Sequence, residues 1–388
     1  MPWGLIKQGE TTNFRANFSS NKTVSVENFA FGMSSFGAFN MAGNVSEWIS
    51  NRSDDNHVTS GGAWNDLPYS FGDYGEYPGF YASNKLGFRC VLNLSGAKSD
   101  QGSQDLLPDK IPNYKISSES DFKVWLTHYQ YDKMPLNAKI IETNETEAWT
   151  RQKITFAGEN GEQAIAYLFL PKNYSRPLQI IHYLPPGDVV NGLRSLPDSV
   201  EMFLTPLIKS GRAVFTVVLK GYNERPLADD YVPPKRNLVE FRKQAVNWMT
   251  DLQRGLDYLE TREDIDFKKL SFLGISNGAN LGILALGIEK RYNCAVLVGA
   301  GVDKAWQDWI PEANFINFAP HSKFPKLFIN GRYDETHPLK TYSEPIFKIF
   351  SEPKKLVIYD GGHIPTIEFF STTVNTWLDE KLDTPSKF

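Results

Sequence analysis

A serine hydroxyl is a weak nucleophile at neutral pH. Acyl transfer through it needs a base within hydrogen-bond reach, a group that orients the base, and donors for the developing oxyanion. Ser276 stands where such help can be assembled, at the centre of Gly274-Ile275-Ser276-Asn277-Gly278. The apolar run Leu270-Ser271-Phe272-Leu273 precedes it and Ala279-Asn280-Leu281-Gly282-Ile283-Leu284-Ala285-Leu286 follows. Strand, sharp turn and helix in that order make a nucleophile elbow, whose flanking glycines leave room for backbone that a side chain would strike. The Asn277 amide, at the head of the helix, is the first expected oxyanion donor, aided by the positive end of the helix dipole. A second donor should come from the loop after an earlier strand, Leu184-Pro185-Pro186-Gly187-Asp188. Proline has no N–H, so Gly187 or Asp188 supplies it, and the sequence leaves that choice open.

The acid and the base should follow the serine in that order, each after a strand. Lys326-Leu327-Phe328-Ile329-Asn330-Gly331-Arg332-Tyr333-Asp334 ends in a carboxylate, and Leu356-Val357-Ile358-Tyr359-Asp360-Gly361-Gly362-His363 ends in an imidazole. Asp334 is therefore the expected orienter and His363 the expected base. Asp360 is the rival carboxylate, but three residues before the histidine it reads as a turn residue. His337 reads as a solvated loop histidine. His57, His128, His182 and His321 show no metal-ligand spacing and read as structural or exposed.

The elements needed to hold this constellation are legible from the periodicity. Apolar runs predict strands at Lys139–Thr143, Gln152–Phe156, Ala164–Leu170, Gln179–Tyr183, Ala213–Leu219, Leu270–Leu273, Ala295–Val298, Lys326–Ile329 and Lys355–Tyr359. A 3.6-residue stripe of Leu238, Phe241, Ala245, Trp248, Leu252, Leu256 and Leu259 predicts a helix over Leu238–Thr261, and Asp121–Tyr131 reads as a shorter amphipathic helix. Strands alternating with helices predict an α/β fold with a mainly parallel sheet. Before this region, residues 1–94 are rich in Gly, Asn, Ser and aromatics, which predicts irregular structure with short strands. Residues 95–120 begin with the polar stretch Ser95-Gly96-Ala97-Lys98-Ser99-Asp100-Gln101-Gly102-Ser103-Gln104 and read as a linker, leaving 121–388 as the second domain.

Bulk composition excludes several function classes. A formal charge of -4 and a pI near 5.9 lack the basic footprint of a nucleic-acid or anionic-membrane binder. Two cysteines, Cys90 and Cys294, form neither a disulfide framework nor a zinc pattern. No secretory leader pattern and no apolar stretch of about 18 residues occurs, so the cytoplasm is the default location read from this chain.

From about Tyr131 to Leu382 the chain resembles the α/β-hydrolase region found at the C-terminus of some bacterial proteins that begin with a serine/threonine kinase domain. The stretches that carry this are Tyr131-Asp132-Lys133-Met134-Pro135-Leu136-Asn137-Ala138, Ser210-Gly211-Arg212-Ala213, Lys220-Gly221-Tyr222-Asn223-Glu224-Arg225, Asp257-Tyr258-Leu259-Glu260-Thr261-Arg262, Asn317-Phe318-Ala319-Pro320 and Asn330-Gly331-Arg332-Tyr333-Asp334. More distantly it is similar to dienelactone hydrolases, acetyl xylan esterases and prolyl-oligopeptidase-type enzymes. The resemblance implies a small-molecule ester substrate, supports Ser276, Asp334 and His363 in their roles, and requires no cofactor for hydrolysis. The elbow of such proteins more often carries an aromatic residue where Asn277 stands, which alters the pocket wall and leaves the backbone donor intact. No HRD, DFG or Gly-rich phosphate loop occurs here, so an accompanying kinase domain would belong to a longer parent protein.

Residues 2–93 resemble the C-terminal half of the formylglycine-generating enzyme, or sulfatase-modifying factor, family, which has a C-type-lectin-like fold. The carriers are Pro2-Trp3-Gly4, Phe39-Asn40-Met41-Ala42-Gly43-Asn44-Val45-Ser46-Glu47-Trp48, Ser60-Gly61-Gly62-Ala63-Trp64-Asn65 and Leu86-Gly87-Phe88-Arg89-Cys90. The family's two copper-binding cysteines would fall at Asp66 and Phe71, and neither side chain replaces a thiolate on copper(I), so the oxidase activity is not expected. The resemblance implies a calcium site taking oxygens from Asn40, Gly43, Val45 and Glu47, in keeping with that ion's hard ligands. The family's upstream half has no counterpart here, which leaves this part as a docking surface or a piece of a longer chain.

Three functions are thus weighed. The first is a serine esterase with a catalytically silent N-terminal domain; the second is a non-catalytic binding or signalling module from a larger kinase-containing protein. The third is a serine peptidase, for which no propeller repeat is present to gate the site. The interval 302–323, with Trp306 and Trp309, reads as either a small lid or ordinary core.

Overall fold

Two compact units divide the chain, one of residues 1–110 with 333–338 and the other of residues 111–332 and 339–388. The computed structural model describes residues 2, 15–53, 55–66, 71, 74–91, 114, 116–158, 161–190, 192–226, 234–302, 306, 308–332, 334 and 336–387. The expected linker stretch 95–104 and the opening residues Trp3 and Gly4 lie outside them.

The first unit is built on short strands. β1 (Ser46–Ser53), β2 (Asn56–Ser60), β3 (Gly75–Tyr77) and β4 (Leu86–Gly87) form one sheet in the order β3-β2-β1-β4. Trp48 on β1 meets His57 and Tyr77 edge-on. The loop before β1 passes through positive φ at Asn40, Gly43 and Asn44, where asparagine and glycine are the tolerated residues. Asn44 fastens that loop, its Oδ1 accepting the Val24 amide at 2.9 Å.

The second unit contains the expected α/β alternation. In chain order its elements are α1 (Glu119–Leu126), β5 (Lys139–Glu145), β6 (Trp149–Ala157), β7 (Gln163–Pro171), β8 (Leu178–Leu184), α2 (Gly187–Val190), α3 (Leu196–Lys209), β9 (Ala213–Val218), α4 (Val239–Glu260), β10 (Ile265–Ile275), α5 (Asn277–Ile288), β11 (Cys294–Val298), β12 (Lys326–Gly331), α6 (Glu344–Ile349), β13 (Lys354–Tyr359) and α7 (Ile367–Leu382). All nine predicted strands are present, and they form one sheet in the order β13-β12-β11-β10-β8-β9-β7-β6-β5. The six strands from β13 to β9 run parallel; β7, β6 and β5 add an antiparallel edge.

Every residue of β8, β9 and β11 is buried, as expected of strands covered on both faces. α4 lays Phe241, Ala245, Met249, Leu252, Leu256 and Leu259 on the sheet, each contributing roughly 1.5–3 kcal/mol of burial apart from the smaller alanine. A Cβ on Gly255 would come within 2.8 Å of Val217 and 2.9 Å of Phe215, so this helix rides unusually close to β9. Among the described residues no helix is long and apolar enough to cross a membrane.

Strand order fixes where chemistry can occur. From β8 the chain steps outward to β9, then returns to place β10 on the other side of β8. The loops leaving β8 and β10 therefore part in opposite directions, and an open parallel sheet binds ligands in the crevice at such a switch point.

Candidate active site

Ser276 lies at that switch point. β10 pairs with β8 in a register that sets Gly274 beside Leu184, so the serine emerges next to the loop 185–188. Its backbone is held at φ 52°, ψ -115°, a region costly for a residue with a Cβ. Gly274 and Gly278 make this turn feasible. A Cβ on Gly274 would lie 2.5 Å from the Gly278 carbonyl oxygen, and one on Gly278 would lie 2.2 Å from that of Leu184. Ser276 occupies the N-cap of α5 without a side-chain capping bond, which leaves Oγ directed elsewhere.

His363 receives it. The imidazole Nε2 is 2.7 Å from Ser276 Oγ across 87 residues of chain. Two glycines clear its path. A Cβ on Gly331, at the end of β12, would lie 2.0 Å from the Gly362 carbonyl oxygen, so only glycine lets the loop carrying the histidine cross there. Gly299, just past β11 at φ 64°, would put a Cβ 2.9 Å from His363 Cε1. Tyr359 ties the same loop by donating its hydroxyl to the Gly362 carbonyl.

Asp334 follows the end of β12 and is 4% exposed. Its Oδ1 accepts the amides of Thr336 at 3.0 Å and His337 at 2.7 Å. Donor atoms of Asp334 and His337 lie within 4.8 Å of each other. The rival Asp360 is placed otherwise: its side chain is 74% exposed and pairs with Arg332 at 2.6 Å.

The loop after β8 runs beside the elbow. Gly187 opens α2, and a Cβ on it would stand 3.9 Å from Asn277 Cβ, so the Pro185–Asp188 loop lies against the elbow. Asp188 is 3% exposed, its carboxylate accepting the Val189 amide at 2.8 Å and Arg194 Nε at 2.7 Å. Arg194 thus supplies the buried carboxylate with a positive partner. Asn277 Nδ2 donates to the Tyr222 hydroxyl at 3.2 Å, and Asn223 Nδ2 donates to the Arg194 carbonyl at 3.2 Å. Tyr222 and Asn223 stand out in the sequence only as part of a matching stretch, and nothing local marks Arg194 or Gly299.

His182 and His321 have structural surroundings. His182 is fully buried, its Nδ1 2.7 Å from the Tyr292 hydroxyl, and burial depresses its pKa to about 3. His321 stacks on Phe122, and burial lowers its pKa. Trp306 and Trp309 stack at 4.5 Å, and both meet Phe315 edge-on while Trp309 meets Phe241 of α4. They form an aromatic cluster packed on that helix; residues 303–305 and 307 of the proposed lid lie outside the described ones.

In the first unit the residues expected to hold calcium offer a mixed fit. Asn40 is 6% exposed; its Nδ2 donates to the Val26 carbonyl at 2.8 Å, while its buried Oδ1 has no donor among the described residues. An orphaned buried oxygen is what a hard cation would satisfy. Glu47, however, already has a positive partner, since Arg89 Nη2 reaches its Oε1 at 2.6 Å and Nε its Oε2. Arg89 Nη2 also donates to the carbonyls of Phe39 at 3.2 Å and Asn40 at 3.3 Å. Asp66, at one of the two copper-ligand positions, accepts the Ala63 amide at 2.7 Å and so closes a turn. Burial raises its pKa.

Known proteins resemble the two parts of the chain separately. Residues 5–94 match the model of the sulfatase-modifying factor enzyme 1-like domain. A search of curated proteins gave no match. Among solved structures, the acetyl xylan esterase from Paenibacillus sp. R4 is 17% identical with a TM-score of 0.55, the alignment covering 69% of this chain and 97% of that one. Acetyl xylan esterase 1 from Thermoanaerobacterium sp. JW/SL YS485 is 14% identical with a TM-score of 0.54, covering 69% and 95%. The chain therefore couples a sulfatase-modifying factor enzyme 1-like domain to a unit with the α/β-hydrolase fold.

Proposed function

We propose that the α/β-hydrolase unit is a serine hydrolase that cleaves carboxylic esters of small molecules through an acyl-enzyme. The observation that carries this reading is the 2.7 Å approach of His363 Nε2 to Ser276 Oγ at the switch point of the sheet. In this reading His363 takes the hydroxyl proton as Ser276 Oγ attacks the ester carbonyl carbon. The carbonyl oxygen, now negative, is held by the Asn277 amide and by an amide of Gly187 or Asp188. Collapse of the tetrahedral intermediate expels the alcohol, which takes the proton from His363; water, deprotonated by the same imidazole, then releases the acid and regenerates Ser276. Asp334 orients the imidazole and stabilises its charged form. The fold neighbours named as acetyl xylan esterases favour an ester over a peptide bond.

In the first unit, calcium would bind through Asn40 Oδ1 with Glu47 and the carbonyls of Gly43 and Val45, as a structural ion with no part in the hydrolysis. Binding would require Arg89 to release Glu47.

The test is turnover of a short p-nitrophenyl ester by Ser276→Ala. A loss approaching about 10⁶ in kcat is expected if serine and histidine act as a unit. Undiminished turnover would reject the reading. Failure of the wild type to hydrolyse any ester would favour the binding-module alternative.

A further inference from the structure

The wall beside the nucleophile is polar. Asn277 follows Ser276 directly, and its side chain is pinned by Tyr222, whose hydroxyl oxygen accepts Asn277 Nδ2 at 3.2 Å. Tyr222 is 4% exposed, and its own O–H has no acceptor among the described residues. A buried hydroxyl with an unspent proton costs free energy unless something accepts it. Among the described residues the Asn277 amide likewise retains its Oδ1 and a second N–H. The Asn277 Cβ lies 3.9 Å from where a Cβ on Gly187 would stand. If the amides of these two loops hold the ester carbonyl oxygen, as in the serine-hydrolase reading, the side chain of residue 277 borders the acyl side of the site. Burial also raises the Tyr222 pKa to about 12, so the hydroxyl keeps its proton across the working range of an esterase.

We propose that Tyr222 and Asn277 form a polar acyl subsite that selects esters whose acyl chain bears a hydroxyl group. This inference rests on the serine-hydrolase reading. The substrate hydroxyl accepts from Tyr222 and donates to Asn277 Oδ1, so both unspent groups are satisfied together. A hydrocarbon acyl chain at the same place strands them, and a site built to bond a hydroxyl rejects the isostere that lacks it.

The test uses two esters of nearly equal shape, p-nitrophenyl 3-hydroxybutyrate and p-nitrophenyl isovalerate, in which a hydroxyl replaces a methyl. The kcat/KM ratio of the first to the second is read within each protein, so intrinsic reactivity cancels between variants. Tyr222→Phe is expected to lower that ratio about 10-fold or more, and Asn277→Leu to do the same. Should Tyr222→Phe fail to fold, Asn277→Leu alone decides. A ratio that survives these substitutions overturns the proposal. In the Ser276→Ala background, calorimetric binding of methyl 3-hydroxybutyrate against methyl isovalerate reads the same discrimination without turnover. A wild type that hydrolyses neither ester defeats the catalytic reading, and the binding ratio still decides the subsite.

Discussion

On the serine-hydrolase reading, Gly299→Ala should slow turnover without replacing any group that does chemistry. Gly299 sits at φ 64°, where an L residue is strained by about 1–2 kcal/mol. For a unit of this size that strain lowers Tm by roughly 2–8 °C. The new methyl would also stand 2.9 Å from His363 Cε1 and 3.2 Å from Nδ1. Carbon atoms at rest need about 3.5–4.0 Å, so the imidazole must retreat by roughly 0.5–1 Å. The bond to Ser276 Oγ starts at 2.7 Å, and that retreat takes it past the usual limit of about 3.2 Å. A displacement of about 1 Å in a catalytic group costs on the order of 10² in rate. The assay pairs kcat and KM for p-nitrophenyl acetate with a melting curve. The expected variant is folded, slightly less stable, about 10–100-fold lower in kcat and little changed in KM. A variant with the predicted loss of stability and full kcat would refute the argument, because the imidazole would then not be the working base.

Asp257→Ala should destabilise the α/β unit by about 3–5 kcal/mol, since it takes from buried Arg254 its carboxylate partner at 3.2 Å and from Tyr131 its acceptor at 2.9 Å, while Arg291, 2.7 Å from Asp257, keeps Glu289 at 2.6 Å; denaturant unfolding measures it. Lys326 is fully buried, and burial pushes its pKa down to about 8 from an unfolded value of 10.5. Its charged form is disfavoured in the fold, so the unfolded chain binds more protons between these values and wild-type stability should rise with pH through that window relative to Lys326→Met. A Tm difference between the two proteins that stays flat from pH 8 to 10 would contradict this. Calcium should raise the calorimetric transition of the N-terminal unit, by about 2.7 kcal/mol at a hundredfold excess over its Kd, and Glu47→Gln should remove the effect; no shift at millimolar calcium would exclude the ion.

The sheet and the elbow were legible because burial on both faces leaves an apolar run that few other structures require. α4, read as Leu238–Thr261, spans Val239–Glu260, since its 3.6-residue stripe covers six turns. β10 begins at Ile265, well before the predicted Leu270, because Asp266, Lys268 and Lys269 interrupt the run ahead of an irregularity in its pairing with β8. α3 went unread although Ser195 caps it and Val200, Phe203, Leu204, Leu207 and Ile208 line its buried face; Pro197 and Pro206 disguise it, the second lying inside the helix. Gly299 could not have been found locally, because the reason for it, the imidazole of His363, lies far along the chain. Tyr222, Arg194 and Asp188 are of the same kind: their pairings depend on loops that meet only once the strand order is set.

The most direct measurement is active-site labelling with a fluorophosphonate followed by peptide mapping. A single adduct on Ser276 is predicted, formed rapidly by the wild type and lost when His363 is replaced by alanine. An adduct on another residue, or labelling of Ser276 that is indifferent to His363, would contradict the central claim.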